Sequence, residues 1–435
     1  MNKKILNLAI PNILSNLTIP LLSSVDTAVV GHLAEVYYLG AIAIGGMIFN
    51  AIYWAFGFLR MGTTGLTAQA HGKEDKEEVT ASLGRALSVA VIVSVVLIAL
   101  QGVISYVAFY LVEASPEVEQ YAKSYFDIRI YAAPATLSLY VFHGWFIGMQ
   151  NAKYPLYLSI VVNVLNIGFN LMFIYQFGMN SDGVALGTLC AQYLGLATAI
   201  FLMFRKYREY IKVFKLKMLK NIEALTSFFK VNFDIFIRTL SLMFVISYFT
   251  AKSAAYGDDV VAVNTILLQL WMIISYGIDG FAFAAESLVG NYYGAGDLSN
   301  LRRVVKNCFY WAFGLSIIIS LLYLFYDREI ISIFTDKEFI IDAALIYFVW
   351  VIAAPVLNSI CFIWDGVFVG AMATTAMRNS MLVSSFLVYF PVFYFSESSF
   401  GNHSLWLALT AFMIARGGMM SLYYKKDITK RLASN

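Results

Sequence analysis

Long apolar runs alternate along the chain with short polar punctuation. Ala86 to Val112 and Cys308 to Tyr326 contain no charged residue, and both exceed the roughly 18 apolar residues that mark a helix able to cross a bilayer. Strands of a membrane barrel would alternate apolar and polar over about 10 residues instead. Breaking the chain at charged or Gly/Asn-rich positions predicts about twelve spanning helices. They begin near residues 10, 39, 84, 122, 154, 183, 226, 260, 304, 339, 376 and 402. The opening "MNKKILNLAIPN" has lysines before an apolar stretch but no small-residue cleavage site, so it reads as the lead into helix 1 and not as a removed signal.

Composition agrees. Of 435 residues, 60% are hydrophobic and 13% charged, against roughly 45–50% and 25% in soluble domains, so the expected class is an all-α polytopic membrane protein. Charge then sets orientation, because cytoplasmic loops carry an excess of Lys and Arg. One alternating set of loops holds Lys3 and Lys4, Lys73 and Lys76, Lys153, the run from Arg205 to Lys220, Arg302, Arg303 and Lys306, Arg378, and Lys425, Lys426, Lys430 and Arg431. The other set ("HLAEVYY", "VEASPEVEQ", "FGMNSDG", "YGDDV", "FSESSFGNH") is poor in them. Both termini are expected in the cytoplasm, and the net charge of +3 is this bias and not a nucleic-acid surface. The Arg205 to Lys220 stretch suits anionic lipid. Cys190, Cys308 and Cys361 lie within apolar spans without metal-ligand spacing and read as small core residues.

The chain repeats itself. "HGKED" at 71–75 is echoed by "YGAGD" at 293–297, "YF" at 125 by "YF" at 347, "AAP" at 132–134 by "AAP" at 353–355, and "GWFIG" at 144–148 by "GVFVG" at 366–370. An offset of about 222 residues divides the chain into two pseudo-symmetric halves of six helices. The expected organisation is an N-terminal lobe over 1–204, a basic cytoplasmic linker over 205–225, a C-terminal lobe over 226–425 and a tail over 426–435. Six helices per half make the repeat parallel, an architecture of secondary transporters that place a substrate site near the midplane.

The polar residues inside the spans carry the candidate chemistry. Asp26 lies about 16 residues into helix 1, in the outer half of the bilayer at 1.5 Å per residue. A carboxylate there costs about 2.5–3.5 kcal/mol on insertion scales and usually faces a bundle interior or aqueous cavity. Burial disfavours its charged form, which makes its protonation switchable. Pro11 and Pro20 share that helix, and each removes a backbone hydrogen bond and permits a kink, static or hinged. "NVLNIGFN" sets Asn163, Asn166 and Asn170 on one face of helix 5, and helix 6 offers Thr188 and Gln192 one turn apart. These are candidate partners of Asp26, or else interhelical glue. In the second half, Asp279 and Glu286 share a face of helix 8, and Asn358 and Asp365 repeat that spacing in helix 10. By the offset, Asp365 answers to His143 and Glu286 to Thr64. Asp234 and Arg238, four apart near the start of helix 7, read as an ion pair. Buried acids are expected to outnumber buried bases. Arg60 is expected to find a carboxylate from the other lobe.

No phosphate-binding GxxxxGK[ST], HExxH or GxSxG is present, and the four histidines are scattered, so no enzyme, cofactor or resident metal is expected. The stretches "PLLSSVDTAVVGHL", "GFLRMGTTGLTAQAHG", "NFDIFIRT", "DGFAFAAESLVGNYYGAGD" and "DGVFVGA" together resemble the multidrug and toxic compound extrusion (MATE) family, DinF-like branch, from helix 1 to helix 12. The resemblance implies two six-helix bundles forming a V, and export of organic, often cationic, compounds in exchange for protons or sodium. It assigns coupling to Asp26 with Pro11, and polar partners to Asn166 and Thr188. A second acid of some members falls at Asn170, which is neutral here and favours proton over sodium at Asp26. The helix 10 acid of other branches matches Asp365, leaving a C-terminal route open.

The expectation is a monomeric, multi-pass antiporter of the bacterial inner membrane whose partners are small organic substrates, H+ or Na+, and the lipid bilayer. A flippase for a lipid-linked precursor would need a cationic cavity, and a passive channel or receptor would give no reason for a titratable Asp26.

Overall fold

A computed structural model describes the backbone of residues 1–30, 36–112 and 114–434, with side chains of 19–36, 113, 216, 220, 434 and 435 outside the description. Among the described residues there is no strand. Helix α1 (Asn2–Val30) precedes eleven helices long and apolar enough to cross a membrane. They are α2 (Tyr37–Gly72), α3 (Lys76–Ala99), α4 (Pro116–Gly148), α5 (Lys153–Gln176), α6 (Ser181–Lys206), α7 (Ile222–Ala254), α8 (Asp258–Gly294), α9 (Leu298–Phe325), α10 (Glu338–Gly370), α11 (Thr374–Phe400) and α12 (His403–Ala433). Seven of these starts fall within two residues of the sequence expectation. Those of α3, α4 and α9 come six to eight residues earlier, because capped polar first turns precede the apolar run. Asp75 and Asp297 cap α3 and α9 by accepting from the backbone N–H of Glu78 and Asn300, each at 2.9 Å, and Ser115 caps α4. Such caps satisfy amides that the helix itself leaves unpaired.

The repeat is built into the backbone. Left-handed residues occur at Glu74 (φ 58°) and Gly296 (φ 73°), and again at Gln150 (φ 56°) and Met372 (φ 57°), each pair separated by the repeat offset. The caps Asp75 and Asp297 keep the same offset. In each half, two glycines of a GxxxG set let helices cross backbone to backbone. A Cβ on Gly144 would stand 2.3 Å from the Arg60 carbonyl oxygen, and one on Gly148 2.9 Å from that of Thr64. One on Gly366 would stand 2.1 Å from the Ala282 oxygen, and one on Gly370 2.5 Å from that of Glu286. The sequence echo at 144–148 and 366–370 is thus the contact that fastens α4 to α2 and α10 to α8.

Two compact units result. One comprises Met1–Ile13, Ala68–Glu74 and Phe229–Asn435; the other comprises Leu14–Thr67 and Asp75–Phe228. In the second of these the basic stretch from Arg205 is tied to α3. Tyr210 and Met218 offer carbonyls to Thr80 (2.9 Å) and Arg85 (3.3 Å), and Lys76–Glu209 pairs at 2.7 Å.

Candidate functional site

Polar side chains in the Leu14–Phe228 unit converge where α1, α5 and α6 meet. Asn166 is buried and its amide donates to Thr188 Oγ1 at 2.9 Å. Thr188 in turn donates to the Val184 carbonyl at 3.0 Å, a back-bond within α6 that frees the hydroxyl oxygen to accept. Asn170 Nδ2 donates to Asn166 Oδ1 at 3.1 Å. Gly187 makes room for this amide, since a Cβ there would stand 2.1 Å from Asn170 Oδ1. A seam then ties α5 to α1: Ser15 and Ser159 hydroxyls meet at 2.7 Å, and Asn163 Nδ2 donates to the Thr18 carbonyl at 3.3 Å. The structure therefore brings Asn163, Asn166, Asn170 and Thr188 together. Gln192 is half-buried, and its side chain makes no hydrogen bond to another described residue. Pro11 lies within α1, where the buried Asn12 amide donates to the Leu8 carbonyl at 2.9 Å. The side chains of Asp26 and Pro20 lie outside the description. Sequence reading missed Ser15, Ser159 and Gly187. The signal was available in the serine at i−4 from Asn163, which extends the amide stripe by one turn.

The Phe229–Asn435 unit is built differently. Asp365 is buried, and its Oδ2 takes charge-assisted hydrogen bonds from both Arg238 on α7 and Arg416 on α12. Arg416 is 1% exposed, and Asp279, half-buried on α8, lies within its electrostatic reach. Glu286 and Asn358 are both buried, and the Glu286 carbonyl forms the Gly370 crossing. The expected Asp234–Arg238 ion pair is not made. Although four apart, the two side chains turn to different neighbours: Asp234 accepts from Arg378 (2.6 Å), Thr374 (3.0 Å) and Thr375 (2.8 Å), while Arg238 goes to Asp365. Among the described residues, which leave out the side chain of Asp26, buried acids equal buried bases in number. Asp234, Glu286 and Asp365 are matched by Arg85, Arg238 and Arg416. The expectation counted acids within apolar spans and passed over Arg416, a lone arginine in the otherwise uncharged run "HSLWLALTAFMIARGGMM".

No group of three or more His, Cys, Asp or Glu side chains among the described residues is placed to hold a metal ion. The two halves differ at the repeat pair formed by position 143 and its mate 365. Here the first half has His143 within electrostatic reach of Arg60, and the second has a carboxylate between two guanidiniums. Arg60 itself lies among Tyr140 and His143.

The family model MatE matches this chain twice, over residues 11–172 and 235–395, one match per half. DNA damage-inducible protein F of Escherichia coli K12 is 35% identical over 98% of this chain and 92% of its own length. A probable multidrug resistance protein NorM of Photorhabdus laumondii is 24% identical over 97% of this chain and 91% of its own. In fold, the chain is similar to an outward-facing multidrug resistance MATE family transporter of the MOP superfamily (TM-score 0.89, 19% identity, 100% of this chain and 97% of that one). It is also similar to a MATE structure in the bent conformation (TM-score 0.87, 19% identity, 100% of this chain and 96% of that one). With both halves matched by the family model and a relative 35% identical along nearly the whole length, this protein is a member of the MATE family of membrane transporters.

Proposed function

We propose that the chain is a secondary antiporter that exports organic, often cationic, compounds in exchange for protons, with Asp26 as the coupling carboxylate. The observation that carries this reading is the polar seam of α1, α5 and α6. Its contacts advance in step along two helices: Ser15 with Ser159, then Thr18 with Asn163. Residue 26 of α1 and Asn170 of α5 each stand eleven residues beyond the Ser15–Ser159 contact, which supports a similar depth for the two. Every described member of the seam is a neutral amide or hydroxyl, which leaves Asp26 as the group of this reading whose charge can change. A sodium site usually gathers several charged or carbonyl oxygens, and the amide at Asn170 supports protons over sodium.

The cycle follows from that placement. Open to the outside, Asp26 takes a proton, loses its charge and weakens its hold on a cation. Substrate leaves, the halves rearrange, and the proton is released inside. Each imported proton gains about 2.3 kcal/mol per 100 mV of membrane potential, which export of a monovalent cation offsets, so one-for-one exchange draws on the pH gradient. The lobes of this reading are 1–204 and 226–425, joined by the linker 205–225, in a monomer of the bacterial inner membrane with both termini cytoplasmic. The NorM relative's name supports a multidrug substrate range. Substrate-evoked pH change in proteoliposomes, with and without sodium, tests it. Wild type is expected to respond equally in both media and Asp26→Asn to lose the response. Full proton exchange in that variant would overturn the assignment.

A further inference from the structure

Near the end of α2, Ala68 meets its own repeat mate on α8, and Gln69 and Gly72 meet each other's mates. Ala68 and Gly290 are mates, and a Cβ on Gly290 would stand 2.6 Å from that of Ala68. Gln69 is the mate of Asn291, and Gly72 of Gly294. A Cβ on Gly72 would stand 1.9 Å from the Asn291 carbonyl oxygen, and one on Gly294 2.1 Å from that of Gln69. Residue i of one half thus touches j of the other, and j's mate touches i's mate, which is the signature of contact across a two-fold axis. The reciprocity holds at the level of backbone oxygens, where only glycine leaves room. All these residues fall in one compact unit, whose boundary cuts α2 between Thr67 and Ala68 and α1 between Ile13 and Leu14. The start of α1 joins the same packing, with a Cβ on Gly280 standing 2.8 Å from the Ala9 carbonyl oxygen and Lys4 reaching the Tyr292 hydroxyl at 3.3 Å.

We propose that this reciprocal crossing is the seal that closes the basic-loop side of the transporter, and that Gly72 and Gly294 set its closure. The proposal rests on the antiporter reading above and assigns it a gate. Its side-chain bonds are few: Gln69 Nε2 donates to the Gly370 carbonyl at 2.9 Å, and His71 Nδ1 and Asn291 Nδ2 approach to 3.4 Å. Interhelical hydrogen bonds in membranes are individually weak, so closure depends on backbone fit, which one methyl group at either glycine spoils. Lys73 and Lys76 follow one helix end and Arg302 and Arg303 the other, which puts the crossing at the face expected to be cytoplasmic. For the first half to swing free, residues 1–13 and 68–74 must leave α8. The two-fold relation adds a specific expectation: Gly72→Ala and Gly294→Ala act alike.

The test places a cysteine at Gln69 in a background with Cys190, Cys308 and Cys361 changed to alanine, and measures its maleimide labelling rate. Gly72→Ala and Gly294→Ala are expected to speed labelling by similar factors, about ten-fold each, because overpacking shifts the population away from the closed crossing. Gly46→Ala, where nothing lies within 4 Å, is expected to leave the rate unchanged. Unaltered rates in both crossing variants, or an increase in only one, would overturn the proposal. This readout needs no transport, so it decides the seal even where antiport itself fails. In a chain that transports, joining His71→Cys to Asn291→Cys with a short bis-methanethiosulfonate is expected to stop efflux until reductant is added. Unimpaired efflux from fully joined protein would count against the seal.

Discussion

The two halves share a scaffold and differ in what they bury. One lines its polar interior with amides and hydroxyls: Ser15, Ser159, Asn163, Asn166, Asn170 and Thr188. The other buries a carboxylate between two guanidiniums, Asp365 with Arg238 and Arg416. Both satisfy polar groups in hydrocarbon, but under the antiport proposal only the neutral network suits a carboxylate that must exchange its charge. At Asp365 the place of a substrate cation is already taken by arginine. The second half thus uses Asp365, Arg238 and Arg416 to hold α7, α10 and α12 together, and under the antiport proposal Asp365 serves that cohesion.

The largest effect should come from breaking this cluster. Asp365→Asn leaves two buried cations without their partner, a change that typically costs about 3–5 kcal/mol, and a marked fall in thermal midpoint in detergent is expected. Combining Arg238→Met, Asp365→Leu and Arg416→Met should restore most of that stability, since an apolar replacement of a whole buried cluster is often neutral or better. Proton-coupled efflux by the stable triple variant would keep the comparison. A stable triple variant with no coupling would break it, placing transport chemistry in the second half.

In the first half the sharper probe is Gly187→Ala. The added methyl group drives into Asn170 Oδ1 at 2.1 Å, and overpacking of this kind costs about 1–3 kcal/mol. Substrate-evoked proton flux is expected to fall by more than the thermal midpoint implies, because the methyl displaces the amide that the antiport proposal sets at a similar depth to residue 26. Normal flux would show that the amide chain is packing alone. Smaller still is the α1–α5 seam: a double-mutant cycle with Ser15→Ala and Ser159→Ala should give a coupling of about 0.6 kcal/mol, the mean for interhelical hydrogen bonds in membranes. A coupling near zero would detach α1 from α5 and remove the register argument for Asp26.

Much of this was legible in the sequence. Eleven of the apolar spans and the repeat offset are local patterns, and the echo of "GWFIG" in "GVFVG", legible as a repeat, marks the crossings that fasten each half. The amide stripe of α5 was legible for the same reason, being periodic on one helix. The charged cluster was not, because Arg416 lies 51 residues beyond Asp365 and Arg238 lies 127 before it, and pairing over such distances is settled by packing. Spacing misled at Asp234 and Arg238: four residues apart on α7, they bond to α11 on one side and to α10 on the other. Gly72 and Gly294 were visible as a repeat, but their reciprocal contact needed coordinates.

The smallest effect tests what the halves have in common. Asp75 and Asp297 cap their helices from equivalent positions, and replacing an N-cap Asp by Ala typically costs about 0.5–2 kcal/mol. Asp297 lies in the loop before α9, outside the spans. The Asn300 backbone N–H and then its side-chain amide hold the Asp297 carboxyl below its ordinary range. A depressed carboxyl contributes stability that is complete above the unfolded value of about 3.9 and is lost as pH falls through the lower folded value. Asp297→Asn, which can still accept from the Asn300 N–H but lacks the charge, should therefore fall below wild type in thermal midpoint by a constant gap from pH 5 to 8. Below about pH 4 the wild type alone should lose the contribution of its charged cap, so the gap between the two narrows or reverses only there. A gap that changes between pH 5 and 8 would mean that the Asp297 charge acts on something other than its own helix.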